Sequence, residues 1–310
     1  MSRRDKNKKK VSVGKKIAIG IILFLVIAVA GGYFYVHNLL GKVDQVKIES
    51  TPEELGIEPE LEKKHGEIKN IALFGIDAPD GEVGRSDAIM ILTLDSTHNK
   101  IKLTSIMRDS YVDIDGRGMD KINHAYAFGG PELSIKTINK NFNLNIKDFM
   151  AVNFTSLPNI IDKIGGVEIN ITDEEVSHVS GISSPGKYNL TGTQALAYSR
   201  IRYATGGDYK RTERQRVVIE GIFNKLKNTQ VSNYPSFISE FLPYVKTNMS
   251  SMELLKLGTD FAGLVSGGIN QERFPRDGQG EGQMINGVYY LTFDIENVKN
   301  SMYEYIFNDK

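Results

Sequence analysis

Apolar residues fill one unbroken stretch early in the chain and afterwards recur at two distinct periods. Ile17 to Val36 runs for 20 residues without a charge. At about 1.5 Å per helical residue it reaches across a ~30 Å hydrocarbon core. Tyr33 and Tyr35 fall where an interfacial aromatic belt is expected. Ala28-Val29-Ala30 resembles a signal cleavage site, but apolar character continues past it to Val36, so the pattern favours a retained transmembrane helix. Residues 1–16 hold eight basic residues and one acid, a basic tail that the positive-inside rule places in the cytoplasm. Residues 37–66 are charged, contain Pro52 and Pro59, and read as a stalk with at most a short helix.

Beyond the stalk the pattern alternates between strand and helix. Ile68 to Phe74 reads as a strand ending at Gly75-Ile76-Asp77. Ala88 to Leu94 is a near-continuous apolar run, as in a strand covered on both faces. Asp95 to Lys100 is a turn, and Ile101 to Ile106 returns, so the two form a hairpin. Asp113 to Gly118 is a second turn. Pro131 opens a helix to about Asn141. Phe149 to Phe154 and Val167 to Ile171 are strands, separated by a helix from Leu157 to Ile164 that Gly165-Gly166 stops. Helices follow at Thr193–Tyr198, Arg211–Leu226, Tyr234–Val245, Met252–Leu264 and Ile295–Ile306. Strands interleaved with helices make an α/β domain, residues 67–310, and the hairpin makes its central β-sheet mixed.

Composition changes this picture in two ways. Without the first 16 residues, 30 basic residues stand against 37 acidic ones. A net-acidic body argues against nucleic acid as a partner. The chain has no cysteine, which removes disulfides, Cys-ligated zinc, iron–sulfur clusters and thiol nucleophiles together. No phosphate-binding P-loop or Gly-x-Ser-x-Gly elbow occurs, and no two histidines lie four apart. Asp113-x-Asp115 sits among glycines and reads as a turn.

Against this background four short groups carry candidate chemistry. Asp77 and Asp87 stand at neighbouring strand ends, where two carboxylates could share a hard cation such as Mg²⁺ or Mn²⁺. Arg108-Asp109 lies at the far end of the hairpin. Lys121-Ile122-Asn123-His124 is a polar loop entering a helix. Residues 200–216 hold six basic residues and two acids. There Arg200 and Arg202 share a face of an extended segment, while Asp208, Arg211 and Gln215 align on a helix. Arginine forks suit phosphate oxygens. A solvated helix face would account for Lys210 and Arg216 without any ligand. The apolar faces Leu157–Ile164 and Val217–Leu226 would suit a lipid slot, although such spacing usually means core.

Taken in order, these residues resemble the LytR–CpsA–Psr family of bacterial cell-envelope enzymes. The likeness runs from about residue 70 to 226 and is carried by Gly75-Ile76-Asp77, Arg85-Ser86-Asp87, Arg108-Asp109, Lys121 to Tyr126, Gly165-Gly166-Val167, Leu190-Thr191-Gly192, Tyr198 to Arg202, and Asp208 through Arg211 to Gln215. The resemblance implies a helix-flanked α/β fold behind a single anchor. It implies transfer of a glycopolymer, such as wall teichoic acid or capsule, from undecaprenyl diphosphate to peptidoglycan in a Gram-positive envelope. Asp77 and Asp87 then look like the Mg²⁺ carboxylates. Arg85, Arg108, Lys121, Arg200, Arg202 and Arg211 look like diphosphate contacts, arranged by Asp208 and Gln215. Either Asp109 or Asp208 could serve as general base. A polyprenyl-diphosphate hydrolase and a non-catalytic envelope regulator are the competing expectations.

Overall fold

The computed structural model describes residues 44–48, 51–78, 84–202 and 207–310. The basic tail 1–16, the expected transmembrane helix 17–36 and residues 37–43 lie outside the described residues. Among the described residues no helix is long and apolar enough to cross a membrane.

The first half of the chain forms β1 (Asp44–Gln45), α1 (Pro59–His65), β2 (Ile68–Asp77), β3 (Arg85–Asp95), β4 (Lys100–Ile106), β5 (Tyr111–Ile114), β6 (Gly118–Lys121), α2 (His124–Phe142) and β7 (Asp148–Asn153). Next come α3 (Leu157–Lys163), β8 (Val167–Ile171), α4 (Asp173–Val176), β9 (Gly186–Leu190), α5 (Gly192–Ser199) and α6 (Gly207–Lys227). The chain closes with α7 (Tyr234–Phe241), β10 (Lys246–Thr247), α8 (Ser251–Leu264), β11 (Ile269–Phe274), β12 (Gly280–Ile285), β13 (Val288–Phe293) and α9 (Ile295–Asn308).

Seven strands form one mixed sheet in the order β1-β10-β7-β2-β3-β4-β11. β3 runs antiparallel to both neighbours, while β2, β4, β7 and β11 share one direction. Their carboxyl ends therefore meet the start of β3 along a single edge, where open α/β sheets place ligands. Helices cover both faces. Every residue of β3 from Ser86 to Asp95 is buried, which is why its sequence reads as an unbroken apolar run rather than an alternation. Ile89 and Ile91 pack with Phe142 of α2 and Met302 of α9. On the other face Leu92 and Leu94 join Ile238 of α7 and Phe261 of α8. Each such aliphatic side chain contributes about 2 kcal/mol by leaving water.

Local signals explain most boundaries. Thr191 and Gln194 form a reciprocal capping box at the start of α5, as do Ser250 and Glu253 at α8. Gly165 and Gly166 leave α3 at φ 78° and 84°, which costs little without a Cβ. α2 begins at His124, ahead of the expected start. Gly129 and Gly130 break its helical geometry, so Pro131 opens only the second segment.

One expectation needs correction. Residues 51–66 are not a free stalk: Leu55, Ile57 and Leu61 are buried in the core beside α2, and β1 pairs with β10. The paired strand β8 does not join the central sheet but forms a separate hairpin with β9.

Candidate active site

The site grows from an irregularity in the β2–β3 pair. Gly75 faces Ala88 and Ile76 faces Ser86, so Asp87 is the extra residue of a bulge. A bulge re-aims the side chain it adds. Glycine is required opposite it, since a Cβ at position 75 would lie 2.9 Å from the Cβ of Ala88. Asp87 is only 6% exposed, yet both its oxygens are used: Oδ2 accepts from Arg108 Nη1 at 2.5 Å and Oδ1 from Asn123 Nδ2 at 3.0 Å.

Arg108, just past β4, is the hub. Its Nε lies 3.3 Å from Asp109 Oδ2, and its Nη2 lies 3.7 Å from Asp208 Oδ1. Asp109 in turn accepts from Lys121 Nζ at 2.8 Å. Asp208 and Arg211, one turn apart on α6, meet through two contacts of 2.9 and 3.0 Å. Burial works against the charge of Arg108, but Asp87, Asp208 and Asp109 outweigh it and raise its pKa. Arg211 goes the other way: burial lowers its pKa, Asp208 opposes, and the charges of Arg108 and Arg202 add to the lowering. Its Nε is buried without a hydrogen-bond partner, as are Asn123 Oδ1, Ser86 Oγ and Ser110 Oγ. An unmet buried donor costs about 1–3 kcal/mol.

The remaining predicted residues surround this hub at different depths. Asp77 is exposed, in register with Arg85, which is also exposed and lies two residues from Asp87. Arg200 and Arg202 are exposed on either side of buried Ile201. The extended segment expected for them is not formed at Arg200, which has turn-like dihedrals at the end of α5. Its guanidinium sits 5.4 Å from the ring centroid of Phe154.

Sequence reasoning missed what holds that pair. Arg214, buried on α6, donates from Nε to Glu175 Oε1 at 2.6 Å and from Nη1 to the carbonyl of Ile201 at 3.3 Å. Removing either partner strands a buried charge. Glu175→Ala should cost about 3 kcal/mol of stability, read as a lower denaturant midpoint. Arg216 also departs from the solvated face expected of it. It is buried, with Nη1 2.9 Å from Ser105 Oγ and Nε 3.2 Å from Gln271 Oε1. Lys210 is exposed as anticipated and pairs with Glu213. Asp115 belongs to its turn, held at a pKa of about 2 by Lys136 and Lys140.

Beside the hub opens an apolar cavity of about 210 Å³. Gly75, Ala88 and Gln215 line one part of it; Leu157 of α3, Ile219 and Phe223 of α6, and Phe261 of α8 line others. The helix faces whose spacing suggested ordinary core thus wall a slot.

The donor set also bears on a cation. Among the described residues no group of three or more acidic or histidine side chains is placed to hold a metal. Two carboxylates are nevertheless enough for an ion such as Mg²⁺ that takes further ligands from phosphates. Asp87 keeps lone pairs beyond the two bonds it accepts, and the adjacent Asn123 Oδ1 is unpartnered. The residues fit a cation shared with a substrate, not a dedicated protein cage.

The profile of the LytR_cpsA_psr family matches residues 33–306. The chain belongs to the LytR–CpsA–Psr family. Its relatives include two proteins named polyisoprenyl-teichoic acid–peptidoglycan teichoic acid transferase TagU. That of Enterococcus faecalis is 35% identical over 303 residues, covering 93% of this chain and 95% of the relative. That of Oceanobacillus iheyensis is 34% identical over 294 residues, covering 90% and 89%. A solved structure described as TagT bound to LI-WTA superposes with a TM-score of 0.65 at 26% identity, covering 77% of this chain and 91% of that one. The mixed helix-flanked sheet is thus the family fold, and the Arg108 hub lies within the matched residues.

Proposed function

We propose that this family member transfers a glycopolymer from a polyprenyl diphosphate to peptidoglycan, as the names of its TagU relatives indicate for them. One observation carries the reading: an arginine–aspartate hub, half-buried at Arg108 and buried at Asp87 and Arg211, stands beside an apolar slot, as a lipid diphosphate requires. The slot takes part of the lipid chain. Arg108, Lys121 and Arg211 meet the diphosphate, with Arg85, Arg200 and Arg202 at the rim.

A hydroxyl oxygen of the acceptor glycan attacks the phosphorus that bears the polymer. A new P–O bond forms, and the bond from that phosphorus to the bridging oxygen breaks. The electron pair leaves with polyprenyl phosphate, and the hydroxyl proton passes to Asp109 or Asp208. The arginines neutralise charge on the bridging and non-bridging oxygens, so the chain's contribution is positioning plus electrostatics. Asp77 and Asp87 would hold Mg²⁺ or Mn²⁺, which when bound supplies further charge neutralisation on phosphate. Residues 17–36 anchor the enzyme in the plane of its lipid substrate, with the N-terminus cytoplasmic and the body facing a Gram-positive wall.

The test uses the full chain in detergent with a lipid-diphosphate-linked saccharide, Mg²⁺ and peptidoglycan. Saccharide should appear on peptidoglycan, stop on chelation with EDTA and return with Mg²⁺. Saccharide phosphate released equally with and without acceptor would instead establish a hydrolase. Donor binding with neither product would leave a regulator.

A further inference from the structure

We propose that the β12–β13 hairpin carries an acceptor subsite, in which the ring of Tyr289 seats one sugar of the incoming glycan beside Asp109. The inference rests on the transfer reading and adds where the second substrate binds. In-line displacement at phosphorus needs nucleophile and leaving group on opposite sides. The slot accounts for the leaving side: Ala88 lines it and adjoins Asp87. From Asp87 the contacts run to Arg108, then Asp109, then Lys121. Tyr289 stands at the far end of that series, its ring centroid 6.0 Å from Lys121 Nζ, and it is absent from the slot lining.

The hairpin is fixed to the hub. Leu291 N donates to the carbonyl oxygen of Asp109 at 2.8 Å, and Leu291 forms a β-bridge with Ser110. The Tyr290 ring lies 4.7 Å from that of Tyr111, with its hydroxyl 3.4 Å from Asp120 Oδ1. Tyr289 itself is held over the facing strand. A Cβ at Gly282 would fall 2.6 Å from its Cε2, so only glycine lets the ring lie there. Even so, Tyr289 is 47% exposed and Met284, its cross-strand partner, 66%. Burial first, then Tyr209, Asp109 and Asp208, raise the pKa of the Tyr289 phenol and keep it a hydrogen-bond donor.

A half-exposed aromatic ring bordered by an ammonium and carboxylates suits an amphipathic ligand. A pyranose offers a C–H face to the ring and hydroxyls to the polar edge. An anionic lipid surface would be repelled by Asp109 beside Lys121, and the chain already provides a slot for lipid.

The experiment measures transfer by the full chain in detergent while the concentration of undecorated peptidoglycan glycan strands is varied. Tyr289→Ala should raise the acceptor KM about tenfold, with a smaller change in kcat, and Tyr289→Phe should restore most of the loss because it keeps the ring. Donor affinity, measured with a fluorescent polyprenyl diphosphate and no acceptor, should hold. An unchanged acceptor KM in Tyr289→Ala, beside an active parent, would overturn the subsite alone. Loss of donor affinity in the variant would assign the ring to the donor instead. Loss of binding to anionic phospholipid vesicles at constant acceptor KM would make the hairpin a membrane contact. A parent that binds donor but never transfers would fail the functional reading first, and this inference with it.

Discussion

Arg108→Ala should lower the rate of transfer about 10³-fold, in the range found when an arginine that stabilises phosphoryl-transfer charge is removed. Among the described residues, Arg108 is the one cation that touches Asp87, Asp109 and Asp208 together, through three different nitrogens. Truncation removes the positive charge at the diphosphate and also loosens the three carboxylates from one another. Arg108→Lys should recover little, because a single ammonium cannot span three partners as a planar fork does. Stability and rate can be separated. The alanine variant leaves buried Asp87 without its cation, so its thermal midpoint should fall as well. Adding Asp87→Asn should restore part of the midpoint but none of the rate. Transfer within threefold of the parent in Arg108→Ala would sink the assignment.

Lys102→Ala should destabilise the domain by about 3–5 kcal/mol, the usual cost of breaking a buried ion pair by removing one partner. In a domain of this size that is a fall in Tm of about 10 °C. Lys102 is fully buried in the sheet, and its ammonium donates to Asp95 Oδ2 at 2.9 Å and to the carbonyls of Tyr305 and Ile306 at 2.8 and 3.0 Å. Asp309 Oδ1 stands 3.3 Å away. One side chain thus ties α9 to β4, the strand that leads into Arg108. Lys102→Met with Asp95→Asn should cost less than Lys102→Ala, since both charges leave together.

The pair also makes a statement about pH. Burial alone would raise the pKa of Asp95, but hydrogen bonds from Lys102 and from the backbone and ring of His98 bring it below 3.8. A depressed carboxylate contributes stability that is fully present above the unfolded pKa and is lost as pH falls through the folded value. In Lys102→Met, Asp95 keeps its burial and loses its main partner. The stability deficit of Lys102→Met against the parent, read from denaturant midpoints, should then shrink as pH falls through the Asp95 titration. A deficit that stays constant as pH falls would remove Lys102 as the cause of the Asp95 depression.

Much of the fold was legible because it follows from near neighbours. The unbroken apolar run of β3, the Thr191 and Ser250 capping boxes and the left-handed Gly165-Gly166 are local signals, and each marks its element within three residues. β11 was not legible. Ile-Asn-Gln-Glu-Arg-Phe lacks strand alternation, and the strand is made by parallel pairing with β4 more than 160 residues away. The β12–β13 hairpin did carry a signal, Asn286-Gly287 with φ of 51° and 78° at its turn, the preferred residues for a tight hairpin. It lies beyond residues 70–226, the stretch that carries the family resemblance.

The site divides in the same way. The residue types that can meet a phosphate are read directly from Arg108, Lys121, Arg200, Arg202 and Arg211, because donor chemistry belongs to the side chain itself. The order of those residues also led to the family. Which of them meet was decided only in three dimensions. A bulge carries Asp87 to Arg108, α6 brings Asp208 and Arg211 to the same point, and Arg214 turns inward to hold Ile201 while Arg200 and Arg202 stay outside. The physical reason is range. Strand and helix periods, caps and turns depend on a few consecutive residues. The partner of a buried charge is set by distances of a few ångströms between groups that lie tens to hundreds of residues apart along the chain.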